Sequence, residues 1–504
     1  MITLILVFLT AAPVFYLSAG TLSAALRGAV ASDLSIRAEL FINSVLINTG
    51  AAVISVILGL LSAVGIWTFF EKKAPKMAVA IILLFLLPSF IHVQSWIFFV
   101  DRINQFISAF FTVAPNFSGA FAVIVTVSFS CLPITTGLCL FALLSVPSEL
   151  ADLCMLDLNG KAVFLKVYLP FLAPSLCIGG FLVFLLNIND YAIPSLFGVN
   201  VFALELFSRF SAGSDIYGIF VSSLPILLIS AAVMLAFGLY GSKGVFLSNS
   251  LNCKNPFKKE KFLKIPAALG LIILLFFVFV PLGNLIWEVS RAGDAVNILS
   301  GSLNALFYSL GISSLTAVLC FIPALIFAYF FYKSKYRFIL LSIACIPFMI
   351  PSPIAGLSLI EMWNTPILRI IYQSAFMPSI AMLSKFAFIE ALILSIAISR
   401  LENALLDNLR LYYPGFFGAA WCMIRLIYKE CLSCMLIVFA LAMGEFGMTL
   451  LVTPPGYQTL AIKIYNYLHY GASETIAVLC LFMLFVVLSV AFAVYYLLTG
   501  EKDE

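Results

Sequence analysis

The chain has 504 residues, of which 63% are hydrophobic and 10% are charged, with a formal net charge of +4. With a mean hydropathy of +1.15, it has too little polar surface to cover a water-soluble globule of one or several domains. We therefore expect an integral membrane protein whose surroundings are the lipid bilayer and which has no nucleic-acid partner.

Long apolar runs predict about twelve transmembrane helices. A helix needs about 20 residues to cross roughly 30 Å of hydrocarbon, and these runs are too long and too uniformly apolar for barrel strands. The first run lacks a basic leader and is expected to be a retained helix. The predicted spans are 2–22, 43–70, 77–100, 119–146, 168–190, 216–240, 265–287, 304–331, 338–361, 377–399, 428–450 and 475–498.

The distribution of basic residues predicts the orientation of these helices. With the amino terminus inside, 19 of the 27 lysines and arginines fall in inner segments and seven in outer segments, while Lys385 lies within a helix. Inner segments of membrane proteins are enriched in Lys and Arg. Both termini are therefore expected on the cytoplasmic side.

The sequence repeats itself at about half its length. The text "LINTGAAVISVILGLLSAVGIWTFFEKK" (46–73) is similar to "LFYSLGISSLTAVLCFIPALIFAYFFYKSK" (306–335). Such duplication is common in transporters, although apolar text also aligns by chance. Two later landmarks keep their order at offsets of 259 and 255, namely Pro88 with Pro347 and Asp190 with Glu445.

These repeats predict an all-α membrane protein of two parallel six-helix halves. Residues 1–242 form the first half and 265–504 the second, and a basic cytoplasmic linker, 243–264, joins them. An even number of helices in each half keeps the two copies parallel, which agrees with the charge distribution.

A short polar stretch interrupts the apolar runs between the predicted fourth and fifth helices. The text "LADLCMLDLNGKAVFLKVYLP" (150–170) has apolar residues at a spacing of three to four, which predicts an amphipathic helix followed by a turn. Such a helix suits a groove on a soluble partner, and the alternative is a helix lying on the membrane surface.

The same stretch resembles the cytoplasmic loop signature of the permease subunits of binding-protein-dependent ABC importers. Asp152 stands at the family's Glu, Gly160 is a displaced signature glycine, and the text ends in the family's Leu-Pro. In that family the loop docks on an ATPase subunit. The resemblance implies a coupling role for Glu149, Asp152, Asp157, Gly160, Phe164, Leu169 and Pro170, and for Asp407, Arg410 and Gly415 in the weaker second copy (400–427).

The carboxyl-terminal text "GEFGMTLLVTPPGYQTLAIKIYNYLHYGASETIAVLCL" (444–481) resembles the fused two-half permeases of ferric iron, thiamine and phosphonate importers. That resemblance implies a location in the bacterial inner membrane, two ATP-binding subunits on the cytoplasmic side and a periplasmic or lipid-anchored solute-binding protein. Ferric iron is the favoured cargo, and thiamine, phosphonate and polyamine are the alternatives.

The chain itself is not expected to be an enzyme, and no cofactor or metal site is predicted. It has no GxxxxGK[ST] phosphate loop, so ATP hydrolysis is expected in a partner. Charged and proline residues within spans are the candidates for the pathway. Lys385 and Glu390, five apart on one predicted helix, are expected to pair with each other, and the alternative is a role with the substrate. The predicted pathway residues are Asp190, Glu445, Pro88, Pro347, Lys385 and Glu390.

Two other classes of function remain open at the level of sequence. A twelve-helix secondary transporter also has six plus six parallel helices, and it requires buried carboxylates in its central helices. A membrane enzyme acting on lipids requires clustered Asp, His or Arg at one membrane face, and no such cluster occurs in the sequence.

Overall fold

The protein is described by a computed structural model in which every regular element of the described ranges is helical. This confirms the predicted all-helical class. The described residues are 2–26, 38–108, 118–213, 215–241, 255–257, 260–333, 350–401 and 416–500, with the single positions 340, 405 and 412.

The helices before the linker follow the predicted apolar runs, because backbone groups in apolar surroundings bond within their own segment. Two 3₁₀ segments, Glu71–Lys73 and Leu84–Leu86, and a π segment, Phe164–Tyr168, adjoin them. The helices are α1 (Ile2–Leu26), α2 (Ala38–Phe70), α3 (Ala74–Leu83), α4 (Ser89–Ser108), α5 (Gly119–Ser130), α6 (Leu132–Leu144), α7 (Ser148–Cys154), α8 (Gly160–Val163), α9 (Leu169–Ile188), α10 (Ala192–Leu196), α11 (Phe202–Ser211) and α12 (Ile216–Gly241).

The helices after the linker show a similar alternation of long and short elements. They are α13 (Lys261–Arg291), α14 (Ala295–Ser300), α15 (Leu303–Lys333), α16 (Ser352–Trp363), α17 (Arg369–Tyr372), α18 (Met377–Ser399), α19 (Phe416–Leu426), α20 (Tyr428–Met443), α21 (Thr449–Val452), α22 (Leu460–Tyr470) and α23 (Ser473–Thr499).

Seven helices of the described ranges are long and apolar enough to cross a membrane, or nine if two bent pairs each count as one span. The bends are 48° between α5 and α6 and 84° between Gly418–Leu426 and α20. These helices are those of a multi-pass membrane protein. The predicted number of twelve is not confirmed. The first predicted span counts only as a shorter apolar helix, Ala12–Leu26, the third is broken at Pro88, and much of the ninth lies outside the described residues.

One of the seven candidates, Ala38–Leu86, has 49 residues, which is more than twice the length that one span requires. In a continuous helix, residues 59 and 82 would lie about 34 Å apart. Instead a Cβ atom at Gly59 would lie 2.7 Å from Cβ of Thr135, and one at Gly137 would overlap Ile82. Both ends therefore contact the same turn of α6, and the chain reverses at the charged segment Glu71–Lys73.

The first helix on each side of the linker packs against helices of the other side. Helix α13 lies along α2 and α4, while α1 lies against α15 and α16. Small residues bring α2 and α13 together: the Ser62 hydroxyl donates to the Gly270 carbonyl at 3.3 Å, and a Cβ at Gly65 would lie 2.7 Å from the Ala267 carbonyl oxygen. Such close crossings are typical of membrane helices.

We predict that Gly270→Val lowers the thermal stability of the purified protein, because a Cβ at this position would overlap the backbone of Leu61. Overpacking of this kind costs about 1–3 kcal/mol or more. Gly283→Val on the same helix is the matched control, since no atom lies within 4 Å of a Cβ placed there. Thermal unfolding in detergent measures the difference, and equal midpoints for both variants would contradict the close crossing.

Candidate functional site

Four helix interruptions meet around one cavity of about 220 Å³. They lie at Pro88 between α3 and α4, at Cys131 between α5 and α6, at Asp190 after α9 and at Glu445 after α20. Ser352, the first residue of α16, completes the wall. Interrupted helices leave backbone groups without helical partners, so membrane proteins place them where they line a cavity or face protein.

Proline chemistry explains the first of these interruptions. Leu87 adopts an extended conformation with φ −66° and ψ 127°, as expected for a residue that precedes a proline. Pro88 then packs against the other side of the cavity, where a Cβ at Gly444 would lie 2.8 Å from its Cγ. Glycine at 444 thus permits the two breaks to approach each other.

Two carboxylates hold the backbone at the next interruptions. Oδ1 of Asp190 accepts a hydrogen bond from the Ala192 amide at 2.9 Å, at the start of α10. The Glu445 carboxylate accepts from the Met448 and Thr449 amides at 3.0 and 3.1 Å, at the start of α21. A carboxylate at a helix amino terminus satisfies amides that have no helical partner. The sequence singled out both residues, and the structure shows their local role.

Lys385 brings a positive charge to the same cavity. Its Nζ lies 3.3 Å from Oε1 of Glu445 and 3.3 Å from Oγ of Ser352. The predicted pair of Lys385 with Glu390 is wrong. Residues five apart on a helix point about 140° away from each other, whereas neighbours on one face are three or four apart.

Glu390 lies away from the cavity, in the apolar core between α15, α18 and α20. It is fully buried, and neither of its carboxylate oxygens has a hydrogen-bond partner in the described part of the chain. Its near neighbours along α18 are Ala387 and Ala391, both of that core. A carboxyl group without partners in such a place is costly and calls for a functional test.

Aromatic rings from the parts of the chain before and after the linker contact each other beside the cavity. Tyr191 stacks on Phe207 with ring centroids 4.8 Å apart, and Phe446 stacks on Tyr465 at 4.6 Å. Tyr191 and Phe446 lie 6.0 Å apart, and the Tyr191 hydroxyl donates to the Gly447 carbonyl at 3.2 Å. Sequence reasoning missed these rings, although Tyr191 directly follows Asp190 and Phe446 directly follows Glu445.

The predicted pathway residues are thus divided by the structure. Pro88, Asp190, Lys385 and Glu445 line the cavity, whereas Glu390 does not. Pro347 lies outside the described residues.

The predicted coupling segment folds as two short helices, α7 and α8, followed by the π segment. The Asn159 side chain caps α8 by accepting from the Ala162 amide at 2.8 Å. Leu153 and Leu156 are 64% and 80% exposed, beside the exposed Asp152 and Asp157. Apolar side chains of this exposure on a charged segment are compatible with a partner surface and with a helix lying on the membrane surface.

The remaining coupling residues fall into three groups. Glu149 is exposed on α7, while Gly160 and Phe164 are turned toward the protein, and Leu169 and Pro170 begin α9. Asp407, Arg410 and Gly415 of the predicted second copy lie outside the described residues, and the end of that copy forms α19.

The described ranges contain no group of three or more His, Cys, Asp or Glu side chains that could hold a metal ion. His92 is buried and stacks on Phe277 with ring centroids 5.1 Å apart, so it packs a helix. Comparison with known proteins adds no family, since no protein-family model and no curated protein matches the chain.

We predict that Glu445→Ala destabilises the protein by about 1–3 kcal/mol, because it leaves the Met448 and Thr449 amides without their acceptor and removes the carboxylate partner of the Lys385 ammonium. Asp294→Ala is the control, since Asp294 caps α14 at an exposed site where the loss is about 0.5–1 kcal/mol. Thermal unfolding in detergent compares the two, and a larger loss for Asp294→Ala would contradict this account.

Proposed function

We propose that the chain is the fused transmembrane subunit of an ABC importer, resident in the bacterial inner membrane with both termini in the cytoplasm. The observation that carries this proposal is the cavity on which four helix interruptions and the side chains of Asp190, Lys385 and Glu445 converge. In this account the cavity belongs to the pathway of the solute, and residues 1–242 and 265–504 are the two halves of the pore.

The order of the helices supports two parallel repeats of six spans. Helices α9 to α12 have 20, 5, 10 and 26 residues, and α20 to α23 have 16, 4, 11 and 27. Each of the latter begins 257 to 259 residues after its counterpart. The first helix of each proposed half also packs against the other half. Helix α1 contacts α15 and α16, and in the same way α13 contacts α2 and α4.

The chemistry of the cavity supports a polar or charged solute. Oxygen ligands such as the carboxylates of Asp190 and Glu445 suit a hard cation, which keeps ferric iron as the favoured cargo ahead of thiamine, phosphonate and polyamine. A periplasmic or lipid-anchored binding protein would deliver that solute to the outer face.

The exposed leucines of the coupling segment support docking of a separate ATPase. The chain itself has no phosphate-binding loop, so ATP hydrolysis requires a separate subunit. Two such subunits would bind the segments 147–167 and 400–427. Their closure on ATP would rock the two halves between inward-open and outward-open states.

Glu390 favours a second candidate, a secondary transporter driven by an ion gradient. Glu390 is fully buried, and its carboxylate has no hydrogen-bond partner in the described part of the chain. In such transporters, buried carboxylates of this kind bind a proton or a cation. Uptake that follows an ion gradient, fails with Glu390→Gln and does not need an ATPase would establish this alternative.

We predict that Leu156→Asp reduces recovery of an ATPase with the tagged protein by about tenfold, since it places a charge in the proposed apolar contact. Ile367→Asp is the matched control, because Ile367 is 88% exposed and lies outside the coupling segment. Co-purification in mild detergent and mass spectrometry measure the recovery of a protein with a phosphate-binding loop.

Loss with Leu156→Asp and normal recovery with Ile367→Asp would support the importer. If no such ATPase accompanies the wild-type protein, the importer is wrong and the secondary transporter takes its place.

We also predict that Lys385→Met lowers solute uptake about tenfold while the ATPase still co-purifies, because the charge balance of the cavity changes and the docking surface does not. Lys264→Met, at an exposed position of α13, is the control. Uptake of radiolabelled ferric iron, thiamine, phosphonate and polyamine by cells provides the measurement. Wild-type uptake with Lys385→Met would remove Lys385 from the pathway.

A further inference from the structure

The linker residues Asn255 and Phe257 contact the carboxyl-terminal end of α2 and the 3₁₀ segment that follows it. The Asn255 amide donates to Oε1 of Glu71 at 2.9 Å, and its side-chain amide donates to the Thr68 hydroxyl at 3.4 Å. Its side-chain oxygen accepts from the Phe257 amide at 2.9 Å, which fixes the turn that directs Phe257 inward. Both Asn255 and Phe257 are buried.

Phe257 fills an aromatic cluster that includes the predicted coupling segment. Its ring centroid lies 4.9 Å from Tyr168, 5.8 Å from Phe164 and 6.1 Å from Trp67. Phe164 and Tyr168 form the two ends of the π segment that follows α8, and Trp67 belongs to α2. Phe257 is fully buried, and its ring joins the linker to both α2 and the coupling segment, which also meet directly through Trp67 and Tyr168.

The end of the linker contacts the coupling segment at a second point. A Cβ at Gly160 would lie 2.9 Å from Cδ of Glu260, the residue that precedes α13. Gly160 begins α8, so the linker touches this segment both at the helix start and at the π segment. Two separated contacts restrict its orientation more than either contact does alone.

We infer that the linker positions the first coupling segment for its ATPase through Asn255 and Phe257. The inference rests on the proposed function, and it adds that the connection between the halves is part of the docking platform. Phe257 is a positioning residue in this arrangement, because it acts through Phe164 and Tyr168 and is itself fully buried. The exposed Leu153 and Leu156 precede the segment that it holds.

The test compares Phe257→Ala and Asn255→Ala with Phe279→Ala in the full-length protein purified with its ATPase. Phe279 is a matched control, since it is 66% exposed on α13, the helix that follows the linker. Hydrogen–deuterium exchange of peptides covering 148–168 reports the position of the segment, and the amount of ATPase and its ATP hydrolysis report docking. Phe257→Leu, which keeps apolar volume, serves if Phe257→Ala does not fold.

We expect about tenfold faster exchange at 160–168 and a parallel loss of ATPase in the Asn255 and Phe257 variants, with partial recovery in Phe257→Leu. The control is expected to match wild type. Unchanged exchange in every folded variant overturns the inference, and so does faster exchange with full ATPase recovery. Absence of any ATPase from wild type overturns the proposed function, whereas loss confined to the variants supports both.

Discussion

The satisfaction of backbone groups at helix interruptions is the constraint on which the rest of this structure depends. In apolar surroundings an unpaired amide is expensive, so a chain that breaks its spans needs a local acceptor at each break. Asp190 and Glu445 supply it at the starts of α10 and α21. Each carboxylate is therefore held beside the cavity by the same hydrogen bonds that stabilise the fold.

That constraint also explains which features the sequence predicts. Most long apolar runs became helices close to their predicted bounds, as for 377–399, because apolar length is a local property. The candidate residues Pro88, Asp190, Lys385 and Glu445 converge on one cavity, although the partner of Lys385 was predicted wrongly. Lys385 and Glu445 are 60 residues apart, and their contact depends on how α18 and α20 pack, which no local pattern encodes.

The rings beside the cavity were not predicted for the same reason. With 49 phenylalanines in the chain, the identity of a phenylalanine carries little information about its position. Phe446 contacts Tyr191, which precedes the linker in the chain, whereas Phe279 is exposed. Only the three-dimensional arrangement distinguishes these two phenylalanines. Likewise the linker appears in the sequence as a basic connection, and its buried Asn255 and Phe257 become visible only through Glu71, Thr68 and Trp67.

The two halves of the cavity are unequal in charge, although their helices follow the same order. Lys385 of α18 neutralises Glu445, while the corresponding region of α5 and α6 contributes Ser130 and Cys131. Asp190 lines the same cavity as Lys385 and Glu445. Two carboxylates and one ammonium leave one negative charge in the ionised state, and within the proposed function that balance favours a cationic solute over an anionic one.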